Sequence, residues 1–311
     1  MQIWRSLDDV PTDLGRTVVT IGNFDGVHLG HVHVVSRARE MAARLGAEHV
    51  VAVTFDPHPM AVLRPEHAPV MLASVEERLE RLEAVGADCA LVLPFDREVA
   101  QWSPEQFVDR VLVEALGVAA VVVGSNFRFG HKAAGDVALL RDLGARLDFE
   151  VDGVALDGGP QVWSSTYVRQ CLAAGDIAGA AEALGRPVVA RGLVVQGDQR
   201  GRELGFPTAN LSTPTTAVPA EGVYAGWLTR LDTDERFPAA ISVGTNPTFD
   251  GHRDLRVEAY VLDRDDLELY GVEVEVEFTQ RLRGMLRFDG VESLIEAMHE
   301  DVRRTREVLG V

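Results

Sequence analysis

The stretch Gly-Asn-Phe-Asp-Gly-Val-His-Leu-Gly-His at residues 22–31 decides the fold of the first half of this chain. The preceding Thr-Val-Val-Thr-Ile (17–21) has the pattern of a fully buried strand. The stretch is therefore predicted to be a strand-to-helix turn that carries two histidines, His28 and His31. Apolar residues recur at helical spacing after this turn: Val34, Val35, Ala38, Met41, Ala42 and Leu45.

Two histidines at this position indicate a site for phosphate groups. A spacing of three places both imidazoles on one side of the first helical turn. Unpaired N–H groups and the helix dipole already favour an anion there. Imidazole donors can stabilise charge on phosphate oxygens as pyrophosphate leaves, which predicts nucleotidyl transfer. For a bare His-x-x-His, the alternative is an ordinary capping or solvent-exposed role for both histidines. A zinc site is disfavoured because Leu29 and Gly30, which lie between them, add no metal ligand.

Size, charge and cysteine content restrict the class of protein. A length of 311 residues predicts two domains, each with its own core. The formal net charge of −18 argues against general binding to nucleic acid, which depends on cations facing backbone phosphates. No apolar run approaches the ~20 residues of a membrane span, and the N-terminus does not resemble a signal peptide. Cys89 and Cys171 form no motif, so we expect reduced thiols, a cytoplasmic location and no membrane partner.

The first half has the alternating pattern of an α/β protein. Strand-like runs at 49–55, 87–93, 118–123 and 149–155 are separated by helical segments, which predicts a parallel sheet. Capping boxes are predicted at two helix starts, one from Ser74 with Glu77 and one from Ser103-Pro104 with Gln106. The chain has neither a G-x-G-x-x-G after its first strand nor a P-loop, so the nucleotide must be held in another way.

The second half is mostly β-structure, and the pattern changes near residue 186. The run at 272–278 alternates Val or Phe with Glu, which indicates one buried and one solvated face. A helical pattern from 291 to about 308 closes the chain. We predict a small antiparallel barrel with a C-terminal helix, and domains 1–186 and 187–311. The other strand-like runs are 188–195, 223–229, 239–243 and 256–262.

With these motifs, the chain resembles the prokaryotic bifunctional FAD synthetases, in which an N-terminal FMN adenylyltransferase precedes a C-terminal riboflavin kinase. The likeness covers nearly the whole length and implies a Rossmann-like nucleotidyltransferase domain followed by the barrel. In the first half the motifs are GNFDGVHLGH (22–31), TFDPHP (54–59), NFRFG (126–130) and SSTYVR (164–169). In the second half they are GRELGFPTANL (201–211), GVYAG (222–226), SVGTNPTF (242–249), VEAYVLD (257–263) and LYG (269–271).

The resemblance implies that one group of residues contacts the ATP phosphates during adenylyl transfer. Three of them lie in the histidine turn, and three more would close over the phosphates from a later helix start. Hydroxyl donors and an arginine fork suit that role, although Ser-Ser-Thr alone is typical of an N-cap. The six residues are Asn23, His28, His31, Ser165, Thr166 and Arg169.

Loops that follow two other strands are expected to line a nucleotide or flavin cleft. Ligands bind at the carboxyl ends of the strands in open α/β sheets, and both loops lie at that edge. Phe127 can pack on an isoalloxazine ring, and Asn126 stands where many relatives carry Asp. A rigid proline loop is the competing explanation for 57–59. The expected binding residues of this half are Gly22, Phe24, Asp25, Gly30, Phe55, Asp56, Pro57, His58, Pro59, Asn126, Phe127 and Arg128.

In the second half, Pro207-Thr208-Ala209-Asn210 resembles the segment that holds Mg-ATP in riboflavin kinases, although alone it is typical of a turn. Neutral oxygens of Thr208 and Asn210 suit Mg²⁺. Glu258 resembles the catalytic carboxylate, although spacing alone does not separate it from Glu273 or Glu275. Met285 and Leu286 depart from the usual flavin loop. The remaining expected binding residues are Gly201, Gly205, Phe206 and Pro207.

The resemblance implies two consecutive ATP-dependent steps. Riboflavin becomes FMN in the barrel domain, and FMN becomes FAD with release of pyrophosphate in the α/β domain. Mg²⁺ is the expected cofactor, the partners are small-molecule substrates, and self-association is possible. The alternatives are one active half with a binding half, and a flavin or nucleotide sensor without turnover. A cytidylyltransferase would leave the second half of the chain unexplained. A transfer-RNA-charging enzyme would need a basic anticodon-binding surface, which the acidic composition of this chain disfavours.

Overall fold

Two units, each built around its own β-sheet, are found in the computed structural model, which describes residues 1–155, 163–197, 205–212, 215–247 and 253–311. The first unit ends at Ser164 and the second begins at Ser165. The predicted boundary after residue 186 lies further along, because the helices at 165–184 group with the second unit. That functional boundary stays a prediction.

The first unit is a parallel β-sheet with α-helices between its strands. Its strands are β1 (Gln2–Trp4), β2 (Thr17–Ile21), β3 (His49–Asp56), β4 (Cys89–Pro94), β5 (Val118–Gly124) and β8 (Glu150–Val154), with a small pair β6 (Arg128–Phe129) and β7 (Gly135–Asp136). Its helices are α1 (Leu29–Leu45), α2 (Pro59–Leu63), α3 (Val75–Ala84), α4 (Pro104–Phe107) and α5 (Val137–Leu147). All strands of the order β1-β4-β3-β2-β5-β8 run parallel, which confirms the predicted architecture.

The central strand β2 is covered on both faces. Val18 packs in one apolar layer with Val34 and Ala38 of α1. Val19 and Ile21 belong to the opposite layer, together with residues of α5 and of the π-helical segment Val108–Ala115. Burial on both faces explains why 17–21 is an unbroken run of Val, Ile and Thr. The turn that follows β2 thus lies at the carboxyl edge of the sheet, where ligands bind in this class of fold.

The second unit is a closed barrel, which the helices α6 (Ser165–Ala174) and α7 (Ile177–Leu184) precede in the chain. Its strands are β9 (Val188–Val195), β10 (Thr208–Leu211), β11 (Gly222–Arg230), β12 (Arg236–Pro247), β13 (Arg253–Val261) and β14 (Glu273–Arg283), and α8 (Val291–Leu309) follows them. The order β10-β13-β12-β11-β14-β9 closes because β9 also pairs with β10. The predicted antiparallel barrel and terminal helix are confirmed. Among the helices of the described residues, none has the length and apolar character that a membrane crossing requires.

Three details of the barrel bear on the sequence pattern. The segment at 208–211, typical of a turn when taken alone, is strand β10 because it pairs with both β13 and β9. In β14 the apolar side chains are buried and the glutamates between them face outward, as predicted. Gly226 of β11 is required by this packing, since a Cβ there would lie 1.9 Å from the carbonyl oxygen of Glu277.

Both predicted capping boxes are confirmed. At the start of α3, Glu77 N donates to Ser74 Oγ at 3.1 Å, and Ser74 N donates to Glu77 Oε2 at 2.8 Å. At the start of α4, Gln106 N donates to Ser103 Oγ at 3.2 Å, and Ser103 N donates to Gln106 Oε1 at 2.9 Å. The helix after Ser103 continues with π geometry, which a period of 3.6 residues does not predict.

Replacing Ser74 by Ala should destabilise the first unit by about 1 kcal/mol, because the N–H of Glu77 then loses its capping acceptor. Urea unfolding followed by circular dichroism measures this change. Ser36→Ala, at an exposed position on α1, is the matched control and should lie within about 0.5 kcal/mol of the parent. Equal stability of the two variants would contradict a stabilising cap at Ser74.

Candidate active sites

The two histidines of the first motif stack against each other at the start of α1. His28 is the N-cap, and His31 lies in the first turn with its N–H donating to His28 O at 2.8 Å. The ring centroids are 3.7 Å apart, and the ring of Phe24 meets His31 edge-on at 5.1 Å. A Cβ on Gly30 would lie 3.0 Å from His28 Cε1, so glycine leaves room for that ring. The predicted placement of both imidazoles on one side of the turn is confirmed.

His31 is held in its neutral form. Burial lowers the pKa of His31 well below its ordinary value of 6.5, and the adjacent His28 lowers that pKa further. Its Nδ1 has no hydrogen-bond partner among the residues that the structure describes. A neutral imidazole carries one N–H donor, and an anion brought close to it would favour uptake of a proton.

The first motif meets the TFDPHP segment through one polar contact. Asn23 Nδ2 lies 3.0 Å from Nε2 of His58, and Met60 N donates to His58 Nδ1 at 3.1 Å. His58 caps α2, with Pro59 at the first helical position. Asp56 and Pro57 are exposed at the end of β3. The two loops that were expected to share one edge of the sheet are therefore in contact there.

Two residues of the histidine motif face the protein interior. Phe24 is buried, and its φ of +48° lies in the left-handed region. Asp25 is buried and accepts a hydrogen bond from Leu72 N at 2.8 Å. Both side chains support the turn from within. Their expected contact with nucleotide stays a prediction.

An aromatic cleft of about 640 Å³ opens beside Gly22 and Asn23. Phe127 and Phe129 stack at 5.5 Å, and Arg128 also lines the cleft while pairing with Asp136 at 3.1 Å. The volume lies in the range of small-molecule sites, which are largely apolar with a few polar groups. Asn126 is exposed in the same loop. The aromatic lining residues are Phe55, Phe95, Trp102, Phe107, Phe127 and Phe129.

Within the described part of the chain, the charged side chains that line this cleft are all cations. Arg64, Arg128 and Lys132 line it, and no carboxylate of the described residues does, although the chain carries a net charge of −18. An anionic aromatic ligand fits such a lining. Neither Lys132 nor the aromatic residues Phe95, Trp102 and Phe107 were predicted, because they follow different strands and only the fold brings them together.

The expected lid residues Ser165, Thr166 and Arg169 lie in the first half of α6, which begins at Ser165 as predicted. This helix belongs to the second unit. Their approach to the phosphates stays a prediction.

Strands β10 and β13 bring the kinase motifs together in the barrel. Asn210 is directly opposite Glu258, and Thr208 is opposite Tyr260, so these side chains share one face of the sheet. Ser242 of β12 flanks Glu258 on its other side. Asn210 Nδ2 donates to the main-chain oxygen of Thr208 at 3.2 Å and to its Oγ1 at 3.3 Å.

Thr208 lines two hollows of the barrel. One, of about 190 Å³, also contains Phe206, Glu258, Met285 and Leu286. The other, of about 70 Å³, is lined by Pro207, Asn210, Arg264 and Tyr270, among others. The spacing of residues alone did not separate Glu258, Glu273 and Glu275 as candidates for the catalytic carboxylate. Glu258 lines the larger hollow, whereas Glu275 pairs with Arg191 at 2.8 Å and Glu273 is exposed.

The flanking residues of this motif are placed as follows. Phe206 is buried and meets the rings of Tyr260 and His299 edge-on, each at 5.1 Å. Gly205 has a φ of +86°, which favours glycine, and Gly201 lies outside the described residues.

A buried ion pair was missed by the sequence reasoning. Arg283 at the end of β14 donates to both carboxylate oxygens of Asp301 on α8, at 2.9 and 2.7 Å. The loop between them carries Met285 and Leu286, which are half-exposed at the hollow. The pair therefore ties the end of β14, which precedes that loop, to the middle of α8, which follows it.

Comparison with known proteins agrees with this arrangement. The family model described as FAD synthetase matches residues 10–166, and the model described as riboflavin kinase matches residues 184–309. A bifunctional riboflavin kinase/FMN adenylyltransferase of Pseudomonas fluorescens is 38% identical over 310 residues, which cover 98% of this chain and 97% of that protein. The chain belongs to this family. The Escherichia coli member is 35% identical, covering 94% of this chain and 93% of that protein.

A solved structure gives the same fold. It is described as a macrolide-efflux protein from Streptococcus pneumoniae, with a TM-score of 0.87, 30% identity and coverage of 98% of both chains. As a bifunctional riboflavin kinase/FMN adenylyltransferase, this protein uses ATP and riboflavin, and FMN is both product and substrate. The predicted family, fold and two-step function are thus confirmed.

The neutral state of His31 makes the first unit sensitive to acid. The pKa of His31 is lowered in the folded protein and is about 6.5 in the unfolded chain. At pH values between these two, the unfolded chain binds the proton and the folded protein does not, so the free energy of unfolding should fall as pH decreases through that range. His31→Gln should therefore lose less stability than the parent between about pH 7.5 and about pH 5.5. Melting temperatures at both pH values measure this difference.

The matched control is His33→Gln, at an exposed position on the same helix, which should keep the acid sensitivity of the parent. An identical loss for the parent and His31→Gln would contradict the argument.

Proposed function

We propose that FMN is adenylylated in the aromatic cleft of the first unit and that riboflavin is phosphorylated at Thr208 and Glu258 of the barrel. The observation that carries the first assignment is the stacked pair His28 and His31 next to a cleft lined by aromatic rings and cations. Each proposed site combines a place for phosphates with an adjoining apolar hollow.

In adenylyl transfer, a phosphate oxygen of FMN attacks the α-phosphorus of ATP, and the bond to the leaving pyrophosphate breaks. The histidine turn would bind the phosphates at the start of α1, where N–H groups and the helix dipole favour anions. His31 enters this step neutral and donates a hydrogen bond, and growing negative charge on the phosphates favours its protonation. Asn23, with His58 beside it, would orient the attacking phosphate.

Three residues of α6 are also assigned to the phosphates, on the resemblance of the SSTYVR motif. Ser165 and Thr166 offer hydroxyl donors at the start of the helix, and Arg169 offers a planar fork for the pyrophosphate. They are the residues that the SSTYVR motif of the family supplies.

The flavin ring would occupy the aromatic part of the cleft. Phe127, backed by Phe129, presents a flat surface for stacking, and the loops with Gly22 and Asn23 lie at the same cleft. Arg64 and Lys132 favour the anionic FMN over uncharged riboflavin.

In the barrel, the ribityl hydroxyl of riboflavin attacks the γ-phosphorus of ATP, and the bond to the leaving ADP breaks. Glu258 lines the hollow that also contains Phe206, Met285 and Leu286. From this position it would orient the hydroxyl and accept the hydroxyl proton. Thr208 lies between this hollow and the one lined by Asn210, which we assign to ATP.

The residues at β10 fit a magnesium ion. Among the described residues, no cluster of three or more His, Cys, Asp or Glu is placed to hold a metal. Neutral oxygens together with substrate phosphates and water are a ligand set that Mg²⁺ accepts. Thr208 and Asn210 provide two such oxygens on one face of β10. Glu258 of the neighbouring β13 pairs with Asn210 and lies on the same face. When bound, the ion would neutralise charge on the β- and γ-phosphates.

Three further assignments belong to this proposal. A functional boundary near residue 186 is supported by the start of the riboflavin kinase match at residue 184. A cytoplasmic location is supported by two buried cysteines, Cys89 and Cys171, without a bond to each other. Small-molecule partners without nucleic acid are supported by the net charge of −18, and the absence of a membrane partner is proposed from the lack of a long apolar run. Self-association is proposed without a chosen surface.

Two substitutions should separate the two activities. His28→Ala should reduce adenylyl transfer by about 100-fold or more, because a donor to the phosphates is lost, and FMN should accumulate. Glu258→Ala should reduce riboflavin phosphorylation by about 100-fold or more, so that FAD forms only when FMN is supplied. Chromatography of the flavins after incubation with riboflavin, ATP and Mg²⁺ measures both.

The matched controls are His33→Ala and Glu273→Ala, which are exposed on α1 and β14. Both should convert riboflavin to FAD at the rate of the parent. Full conversion by the His28 or Glu258 variant would show that the residue assignment is wrong.

Thr208→Val should raise the Mg²⁺ concentration that half-saturates the kinase by about 10-fold, because one oxygen ligand is replaced by a methyl group. The same titration of adenylyl transfer should be unchanged, since that step is assigned to the first unit. A Thr208→Ser variant keeps the hydroxyl and should need no more Mg²⁺ than the parent. Unaltered Mg²⁺ dependence in Thr208→Val would contradict the assigned metal site.

A further inference from the structure

Arg78 is a buried arginine directly behind the histidine turn. It lies on α3 and is 2% exposed. In sequence it occupies an apolar stripe, three residues after Val75 and four before Leu82, where an arginine is uncommon. That position is the signal that the sequence reasoning missed.

One nitrogen of Arg78 connects the ends of two strands. Its Nη1 lies 2.8 Å from the main-chain oxygen of Asn23, 2.8 Å from Thr54 Oγ1 and 3.2 Å from the main-chain oxygen of Phe55. Thr54 Oγ1 also donates to Asn23 O at 3.2 Å. The loop after β2 and the last residues of β3 are therefore held by a shared set of hydrogen bonds.

These two strand ends are functional parts of the proposed adenylylation site. The side chains of Asn23 and Phe55 both line the aromatic cleft, and the Asn23 amide meets His58 at 3.0 Å. A shift of the main chain at Asn23 would move that amide relative to the histidine turn. Displacements of about 1 Å in such groups cost about 100-fold in rate.

The setting of Arg78 favours arginine over other side chains. Its charge lies near the carboxylates of Asp25 and Asp56, which offset part of the cost of burying a cation. A lysine would keep the charge, but its ammonium ends short of the position of Nη1, from which all three bonds are made.

We propose that Arg78 is a positioning residue for adenylyl transfer, which acts by holding the main chain of Asn23 and Phe55 at the phosphate end of the cleft. The inference rests on the site proposed for that step. Arg78→Lys tests the positioning role and Asn23→Ala tests the proposed site, so failure of the one can be told from failure of the other.

Arg78→Lys in the full chain is the first test. We expect kcat for adenylyl transfer to fall by about 30- to 100-fold, with less than about a threefold change in KM for FMN. The riboflavin kinase rate of the same sample should be unchanged. Arg81→Lys, on the same helix and paired with Glu77, is the matched control and should keep the parental kcat.

A double-mutant cycle then tests the route of action. Asn23→Ala should itself reduce kcat, and adding Arg78→Lys to it should cost less than about threefold more, because the positioned amide is already absent. Thr54→Val removes the shared hydroxyl but leaves Arg78 in place, so it should lower kcat by about 10-fold. Thr54→Ser keeps the hydroxyl and should have the parental kcat.

Each result bears on a defined claim. A parental kcat in folded Arg78→Lys, or fully multiplicative effects with Asn23→Ala, would overturn the positioning role. A lower melting temperature with unchanged kcat at a temperature where the variant is folded would overturn it too, by showing a structural role alone. A parental kcat in Asn23→Ala would refute the proposed site itself, and the inference with it.

Discussion

The stacking of His28 on His31 at the start of α1 is the contact on which the first site depends. Two imidazoles whose centroids are 3.7 Å apart cannot both be charged without a nearby anion, because like charges at that distance repel strongly. The buried ring of Phe24 and the missing side chain of Gly30 keep the pair together. At least one of the two rings is therefore neutral in the absence of an anion, and burial selects His31 as that ring.

The barrel site follows a different principle. Its groups come from strands that lie side by side, so pairing register alone places Asn210, Glu258 and Ser242 in one row. A helix start can bind phosphates through N–H groups and its dipole, whereas a strand offers mainly side chains on one face. In our proposal, the two ATP-dependent steps of this family are therefore assigned to two unrelated kinds of phosphate site.

Periodicity and caps were enough to predict the parallel sheet, the barrel, the long helices and both capping boxes. Strand β1 was missed because three residues show no period, and β10 was missed because its pairing partners are distant in the chain. Motifs placed the histidine turn correctly between β2 and α1. The aromatic cleft was only half predicted, since Trp102 and Phe107 join Phe127 through tertiary packing. Arg78 was missed because its role is visible only when its acceptors on two strands are known.

Lys132 is the sole lysine of the sequence, and its side chain lines the aromatic cleft. Any enzyme or reagent that acylates lysine side chains would therefore modify this protein at one position. Acetylation there would remove one of the cations that line the cleft without altering an arginine. The near-exclusive use of arginine elsewhere thus concentrates all lysine-directed modification on one cleft of the first unit.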